Sequence, residues 1–342
     1  MKAKPSTFSV AAIVLGPLLF TCNAASAQTR VYRGSIGNSH IQMQLDFSGN
    51  EVSGKYAYDN IGEDLKLSGR LDAQGHLELT EFAPKGKQKT GKFSCKSRLD
   101  DPIDKECSWS RPDGSRESMV VLEEQSIAFT NGLQVLPKLI NNRRTGVTVS
   151  YPQIADKGPL SAAAQSFNRR ILALAQKAIG EFAPIDGKGS FDANYNVLLA
   201  TDDLISVELS VYYDGGGAHP NNYFLPLTWD LKSGKELNFE DLFQPNADYK
   251  SALAKYLVVD IDKRATAVEQ KYKSEPQATT KRDEPIISED QLTELSGFGL
   301  TPKGLLVYFD FPHVMAYFDK NFVPYDVVKQ YFNPSGPAGR FR

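Results

Sequence analysis

Tyr212-Tyr213-Asp214-Gly215-Gly216-Gly217-Ala218-His219-Pro220-Asn221-Asn222-Tyr223 joins two apolar, strand-like runs at 204–213 and 223–231. It holds the longest glycine run of the chain and one of its four histidines. Glycines adopt positive φ without penalty and let another backbone or a ligand come close. Pro220 fixes its own φ and pushes His219 out of the helical region. The reading is a stiffened, open loop between two sheet strands, with Asp214 and His219 at its ends.

Outward from this hairpin, a second turn, Lys232-Ser233-Gly234-Lys235, returns the chain, and 240–243 forms a short helical turn. Upstream, 191–199 reads as a strand and 145–151 as another. Between them Phe167, Ile171, Leu174, Ala178 and Phe182 step by four, three, four and four residues, which is one apolar helix face. Ser161 is its candidate N-cap and Pro184 its stop. A second helix is expected over 249–263, an exposed loop over 271–283, strands at 298–300 and 305–311, and a short helix over 324–332. Mixed strands and helices without strict βαβ alternation predict an α+β domain over 145–332, with helices packed on one face of an antiparallel sheet. Residues 333–342, rich in Gly, Pro and Arg, read as a flexible tail.

The N-terminal part reads differently. Ile41, Met43, Leu45 and Phe47 alternate with polar residues, and short strands follow between Gly, Asn and Asp turns up to about 124. Such a pattern predicts an all-β antiparallel barrel or sandwich over 28–124, its interior either filled by its own Leu, Phe and Tyr side chains or hollow enough for a small ligand, the filled interior being favoured. Cys95 and Cys107 are expected to form one disulfide. His40 and His76 fall near polar turns and read as solvent-exposed, and 125–144 reads as a linker.

Residues 1–27 have the form of a secretory signal peptide. Lys2 and Lys4 precede a short apolar core at 10–20, and Ala25-Ser26-Ala27 is a small-x-small cleavage signal. Cleavage leaves a mature chain from Gln28, periplasmic or secreted. No later stretch is apolar for the roughly 20 residues that span a bilayer. Of the 39 Lys and Arg, two lie in the leader; the mature chain sets 37 against 41 Asp and Glu, a net charge of −4. That balance argues against nucleic-acid binding, which calls for a basic face.

Five motifs occur together in one order: Gly216-Gly217-Ala218-His219-Pro220, Thr228-Trp229-Asp230-Leu231-Lys232-Ser233-Gly234-Lys235-Glu236-Leu237, Glu240-Asp241-Leu242-Phe243, Leu300-Thr301-Pro302-Lys303-Gly304-Leu305, and a tyrosine-rich end from Tyr317 to Tyr325. Over 145–332 the chain thereby resembles the RsiV-type extracytoplasmic domain family. Similar domains occur in a lysozyme-sensing anti-sigma factor, beside a deacetylase domain in a cell-wall enzyme, and in secreted mycobacterial antigens. The resemblance implies an α+β fold at the cell envelope, not one activity, and this chain has an all-β region where the anti-sigma factor has its cytoplasmic part and anchor.

No Gly-x-Ser-x-Gly elbow, His-Glu-x-x-His, Walker loop or dinucleotide fingerprint is present. The one catalytic constellation to test is Asp214 with His219, joined by Asp310 and His313, with Ser206, Ser210 or Ser296 as hydroxyl. It is the basis of an alternative reading as a secreted esterase-like hydrolase. The absence of a strong motif sets binding above catalysis. The expectation is an exported binding protein without cofactor or metal. Its ligand-binding residues are Tyr213, Asp214, Gly215, Gly216, Gly217, His219, Asn221, Tyr223, Tyr317 and Tyr325, since tyrosines give rigid, amphipathic contact area. Lysozyme, or peptidoglycan fragments, are the partners the family suggests. A basic ligand would meet Asp202, Asp203, Asp214, Glu240 and Asp241 in a salt-sensitive way.

Overall fold

A computed structural model of the chain describes residues 28–95, 107–183, 189–217, 219–272, 284–292 and 294–342. The leader, Pro184, Ala218 and most of the loop expected at 271–283 lie outside the described residues. Eight strands close into an antiparallel barrel in chain order. They are β1 (Gln28–Ile36), β2 (Ser39–Ser48), β3 (Glu51–Tyr58), β4 (Leu65–Leu71), β5 (Leu77–Phe82), β6 (Lys89–Cys95), β7 (Cys107–Ser110) and β8 (Ser118–Glu124). The seam is β1 against β8, with Ile36 opposite Val120. Closure removes the free edges that a sandwich would keep.

The period-two alternation sends Ile41, Met43 and Leu45 inward, where they meet Tyr32, Tyr56, Leu79 and Phe93 in one buried cluster. Tyr56 and Phe93 pack edge to face at 5.3 Å. One charge lies among them. The Glu81 carboxylate accepts hydrogen bonds from the Tyr56 hydroxyl and the Trp109 indole, each at 2.7 Å. Cys95 and Cys107, directly opposite each other on β6 and β7, are joined by the expected disulfide.

Residues 125–144, read as a linker, carry structure instead: β9 (Ile127–Ala128) and β10 (Gln134–Asn142). β10 pairs over its whole length with β11 (Val147–Ala155), Pro137 facing Pro152. Pro137 hides this strand from a sequence reading, but on the edge strand it costs no ladder bond. The chain then enters α1 (Ala162–Phe182), capped by the Ser161 hydroxyl, which accepts from the Ala164 amide. Phe167, Ile171 and Ala178 are buried, as the apolar stepping predicted; Ala175, rather than Leu174, completes the stripe. Ala183 leaves the helix in an extended conformation, as a residue before proline must.

α1 delivers the chain to β12 (Ser190–Thr201), which pairs parallel with β11. This departs from the all-antiparallel expectation, because a crossover helix allows a parallel neighbour. β13 (Leu204–Asp214), β14 (Asn221–Asp230) and β15 (Lys235–Glu236) complete a sheet in the order β10-β11-β12-β13-β14-β15, with β9 beside β12. One face packs against α1 through Val149, Phe191, Tyr195, Val207 and Leu227.

The other face takes two bodies. Against its β11–β12 side lies the barrel: Arg33 donates both guanidinium arms to Asp59 at 2.7–2.8 Å and also reaches Ser150 at 2.7 Å and Asn194 at 3.0 Å. His40, expected at the surface, is buried here with its Nε2 at 3.2 Å from Asp192. Barrel packing covers a position that looks like a turn in isolation. Further along the face sits a small antiparallel sheet of β16 (Gly297–Leu300), β17 (Gly304–Tyr308) and β18 (Lys320–Pro324). A Cβ at Gly297 would meet Pro226 at 2.4 Å and one at Gly299 would meet Leu198 at 2.3 Å, so glycines let β16 lie this close.

α2 (Tyr249–Tyr272), longer than expected, and α3 (Tyr325–Val328) close the second core. The expected flexible tail is packed: Ala338 is fully buried, Phe341 stacks on Tyr325 at 4.6 Å, and Arg340 reaches Asp203. Aromatic cover for the second core explains its order.

Candidate functional site

The glycine loop forms between the paired ends Tyr213 and Asn221 of β13 and β14. Asp214 turns the chain by accepting the Gly216 amide at 2.9 Å, and Gly216 has φ +76. At Gly215 the Tyr213 hydroxyl oxygen lies 2.1 Å from where a Cβ would be, so a larger residue there would push the tyrosine ring aside. Gly215, Gly216, Gly217 and His219 are exposed.

A second segment meets the loop. β17 and β18 end at the pair Tyr308 and Lys320, and the chain between them makes a 3₁₀ turn at His313–Phe318. The Phe309 amide donates to the Asp319 carbonyl and the Phe311 amide to the Asp319 carboxylate, closing the neck. Burial, with Asp310 nearby, raises the Asp319 carboxyl above its ordinary value. At the tip, the His313 ring stacks on His219 with centroids 3.7 Å apart. Val314 is 90% exposed and Tyr317 58%.

Beneath the neck lies a charge that the sequence reading did not single out. Glu208, fully buried on β13, accepts from the Tyr308 hydroxyl at 2.5 Å, from Lys320 at 2.9–3.0 Å, and from Asn196 and Ser210 at 3.0 Å each. Burial pushes its carboxyl up, but the Lys320 charge and the hydrogen bonds from Tyr308, Lys320 and Asn196 outweigh that and hold it below the usual carboxylate value. Lys320 is correspondingly held above its ordinary value and lies over the Phe224 ring at 5.3 Å. The network clamps both arms of the hairpin that presents His313 and Tyr317. Its one signal in the sequence is a lone glutamate inside the apolar run of β13.

The expected residues therefore separate into groups. Asp214, Gly215, Gly216, Gly217, His219 and Tyr317 sit on the two facing segments. Tyr213, Asn221 and Tyr223 flank the loop at its root; Tyr223 stacks on Phe182 of α1 at 4.7 Å, and both tyrosine rings turn to the helix side of the sheet. Tyr325 is placed elsewhere. It follows the far end of β18, is 8% exposed, and donates its hydroxyl to the Thr301 carbonyl at 2.6 Å.

The structure does not join Asp214 to His219. The carboxylate is held by Gly216, and the imidazole lies on His313 with Nδ1 3.3 Å from the Pro220 carbonyl. Ser206 is buried against Thr228 and the Leu300 amide, and Ser210 donates to Glu208. Among the described residues no group of three or more His, Cys, Asp or Glu is placed to hold a metal ion.

Nor do the five acidic residues form one field. Asp202 binds the Thr130 backbone, Asp203 pairs with Lys232 and Arg340, and Asp241 caps Asn238. Asp202 and Asp203 also stand at the opposite end of β13 from Asp214, roughly 35 Å away at 3.3 Å per residue.

Residues 240–319 match a family described as a protein of unknown function, DUF3298. That span runs from the turn before α2 to the neck below Lys320, and so includes His313 and Tyr317 but not the glycine loop. Among solved structures, the chain is similar to a DUF3298 family protein from Pseudomonas aeruginosa PAO1, with 14% identity over 59% of this chain and 94% of that one and a TM-score of 0.36. It is also similar to a member of the same family from Bacteroides fragilis NCTC 9343, with 14% identity over 60% and 94% and a TM-score of 0.34. No curated protein matches.

Proposed function

We propose that the chain is an exported binding module of the cell envelope. It recognises a protein or cell-wall partner through the face built by the glycine loop and the 3₁₀ turn at His313–Phe318. The observation that carries this reading is the presentation of Val314, Tyr317 and the stacked histidines at the tip of a hairpin clamped from below by Glu208. Burying an exposed apolar and aromatic tip on a rigid support costs little ordering entropy, which favours recognition. Asp214 is held by Gly216, and Ser206 and Ser210 are held within the sheet, so among the described residues the geometry lends the esterase-like alternative no support. Lys2, Lys4 and Ala25-Ser26-Ala27 support export, and the Cys95–Cys107 disulfide suits an oxidising compartment.

A c-type lysozyme is the first partner to titrate and peptidoglycan fragments the second. Calorimetry of the protein from Gln28 onward should give binding that Tyr317→Ala weakens by about 2 kcal/mol, roughly thirtyfold, if the tyrosine anchors the interface. Val314→Asp should act in the same direction. A flat titration with both partners removes the RsiV-like reading. Binding that neither variant changes would place the interface on another face.

A further inference from the structure

Beside α2 a cleft of about 570 Å³ opens between β14 and β16. Its size falls within the roughly 300–1,000 Å³ of ligand pockets, and it opens to solvent. Its lining is divided by chemistry. Leu237, Phe239, Leu253 and Phe298 make an apolar floor, with the Phe239 and Phe298 rings 5.3 Å apart. Glu236, Glu240 and Glu294 stand on the rim with Lys250 as the one cation.

Those carboxylates are unequally engaged. Glu236 is held by Arg170 at 2.6 Å, whereas Lys250 reaches Glu240 only at 3.9 Å. Glu294 has no partner among the described residues. An aromatic floor under one unpaired carboxylate, Glu294, and one loosely paired one, Glu240, complements a group that is long, apolar and positively charged at its end. Lysine and arginine side chains have that form, burying their stems and keeping their heads at a polar rim. Aromatic faces also attract a cation directly. A cleft open to solvent admits a side chain carried on a continuing backbone, where an enclosed cavity would suit a free molecule.

We propose that this cleft is a docking site for a lysine or arginine side chain of a polypeptide partner. This deepens the reading of the chain as a protein-binding module and rests on it. The cleft lies along β14 from the glycine loop, within reach of one extended partner, and its rim selects basic over acidic or neutral chains.

The test uses acetyl-Leu-Lys-Leu-amide with its norleucine and glutamate counterparts, titrated into the protein from Gln28 onward and read by amide chemical shifts. The lysine peptide should move the signals of 237–240 and 294–298, with the norleucine peptide at least tenfold weaker and the glutamate peptide inert. The double variant Glu240→Gln/Glu294→Gln, on the exposed rim, should bring the lysine peptide down to the norleucine level. Equal binding of lysine and norleucine peptides, or shifts outside the cleft only, would overturn the proposal. Because the readout is the cleft's own amides, a negative lysozyme titration does not touch it. A negative peptide titration leaves the glycine-loop face standing.

Discussion

Glu208 lies between Val207 and Leu209 in a largely apolar strand, and its hydrogen-bond donors and Lys320 keep it charged against its burial. Glu208→Gln would leave Lys320 with only the more distant charge of Glu123. Breaking a buried pair costs roughly 3–5 kcal/mol, and since Lys320 keeps some exposure the loss should fall near the lower end, about 3 kcal/mol in urea unfolding. The same group sets a pH dependence. Its folded value lies below its unfolded value of about 4.3, so its contribution is complete above that pH and is lost as pH falls through the lowered folded value. Asp59, whose carboxyl burial raises but the Arg33 guanidinium lowers further, acts in the same sense. Asp319, raised by burial, opposes them over the narrow range between its two values. Unfolding at pH 7, 5 and 3 should therefore show wild type losing more stability than Glu208→Gln. Little of this was legible residue by residue. Asp214 and His219 were identified as loop residues, but the stacking of His219 on His313 joins positions nearly a hundred residues apart, and no local pattern encodes it. Tyr325 resembled Tyr317 in composition, yet one is held by Thr301 inside a core and the other faces solvent.

At the level of elements, legibility followed periodicity. α1 declared itself through its apolar stepping and its serine cap, and each has its counterpart in the fold. Ser161→Ala should remove the bond to the Ala164 amide and cost about 1 kcal/mol, seen as a lowered melting temperature without loss of partner binding. The hairpins around the glycine loop were equally plain, because strand alternation on both sides of a turn leaves few alternatives. β10 was missed because Pro137 interrupts it, and β18 because five residues before a helix carry too short an alternation to read. The parallel register of β11 and β12 was invisible for a different reason: period-two patterning says which face is buried but not which strand lies alongside. Barrel closure is of the same kind, since a sandwich and a barrel share one alternation until the first and last strands are known to meet.

For the molecule as a whole, the joint between barrel and sheet is polar. Arg33 and Asp59 are both almost wholly buried, and their remaining bonds go to Ser150 and Asn194 across the joint. Arg33→Met alone should cost about 3–5 kcal/mol by stranding Asp59, whereas Arg33→Met with Asp59→Leu should recover most of that loss. A double-mutant cycle by denaturant unfolding measures the coupling, and additive losses would show that the pair does not act as a unit. The two regions were legible as separate patterns of alternation, but not their contact, because a buried ion pair between distant segments leaves no periodic trace. The seam of the barrel has a consequence for how the molecule is made. β1 acquires its second neighbour only when β8 arrives, Ile36 meeting Val120 roughly eighty residues later, on the order of ten seconds at synthesis rates of about 5–20 residues per second. Cys95 and Cys107 precede β8 in the chain, so in an oxidising compartment their bridge can form before the cylinder closes. During that interval the growing chain carries a bare β1 edge that only its own residues 118–124 are shaped to cover, and its yield depends on what shields that edge meanwhile.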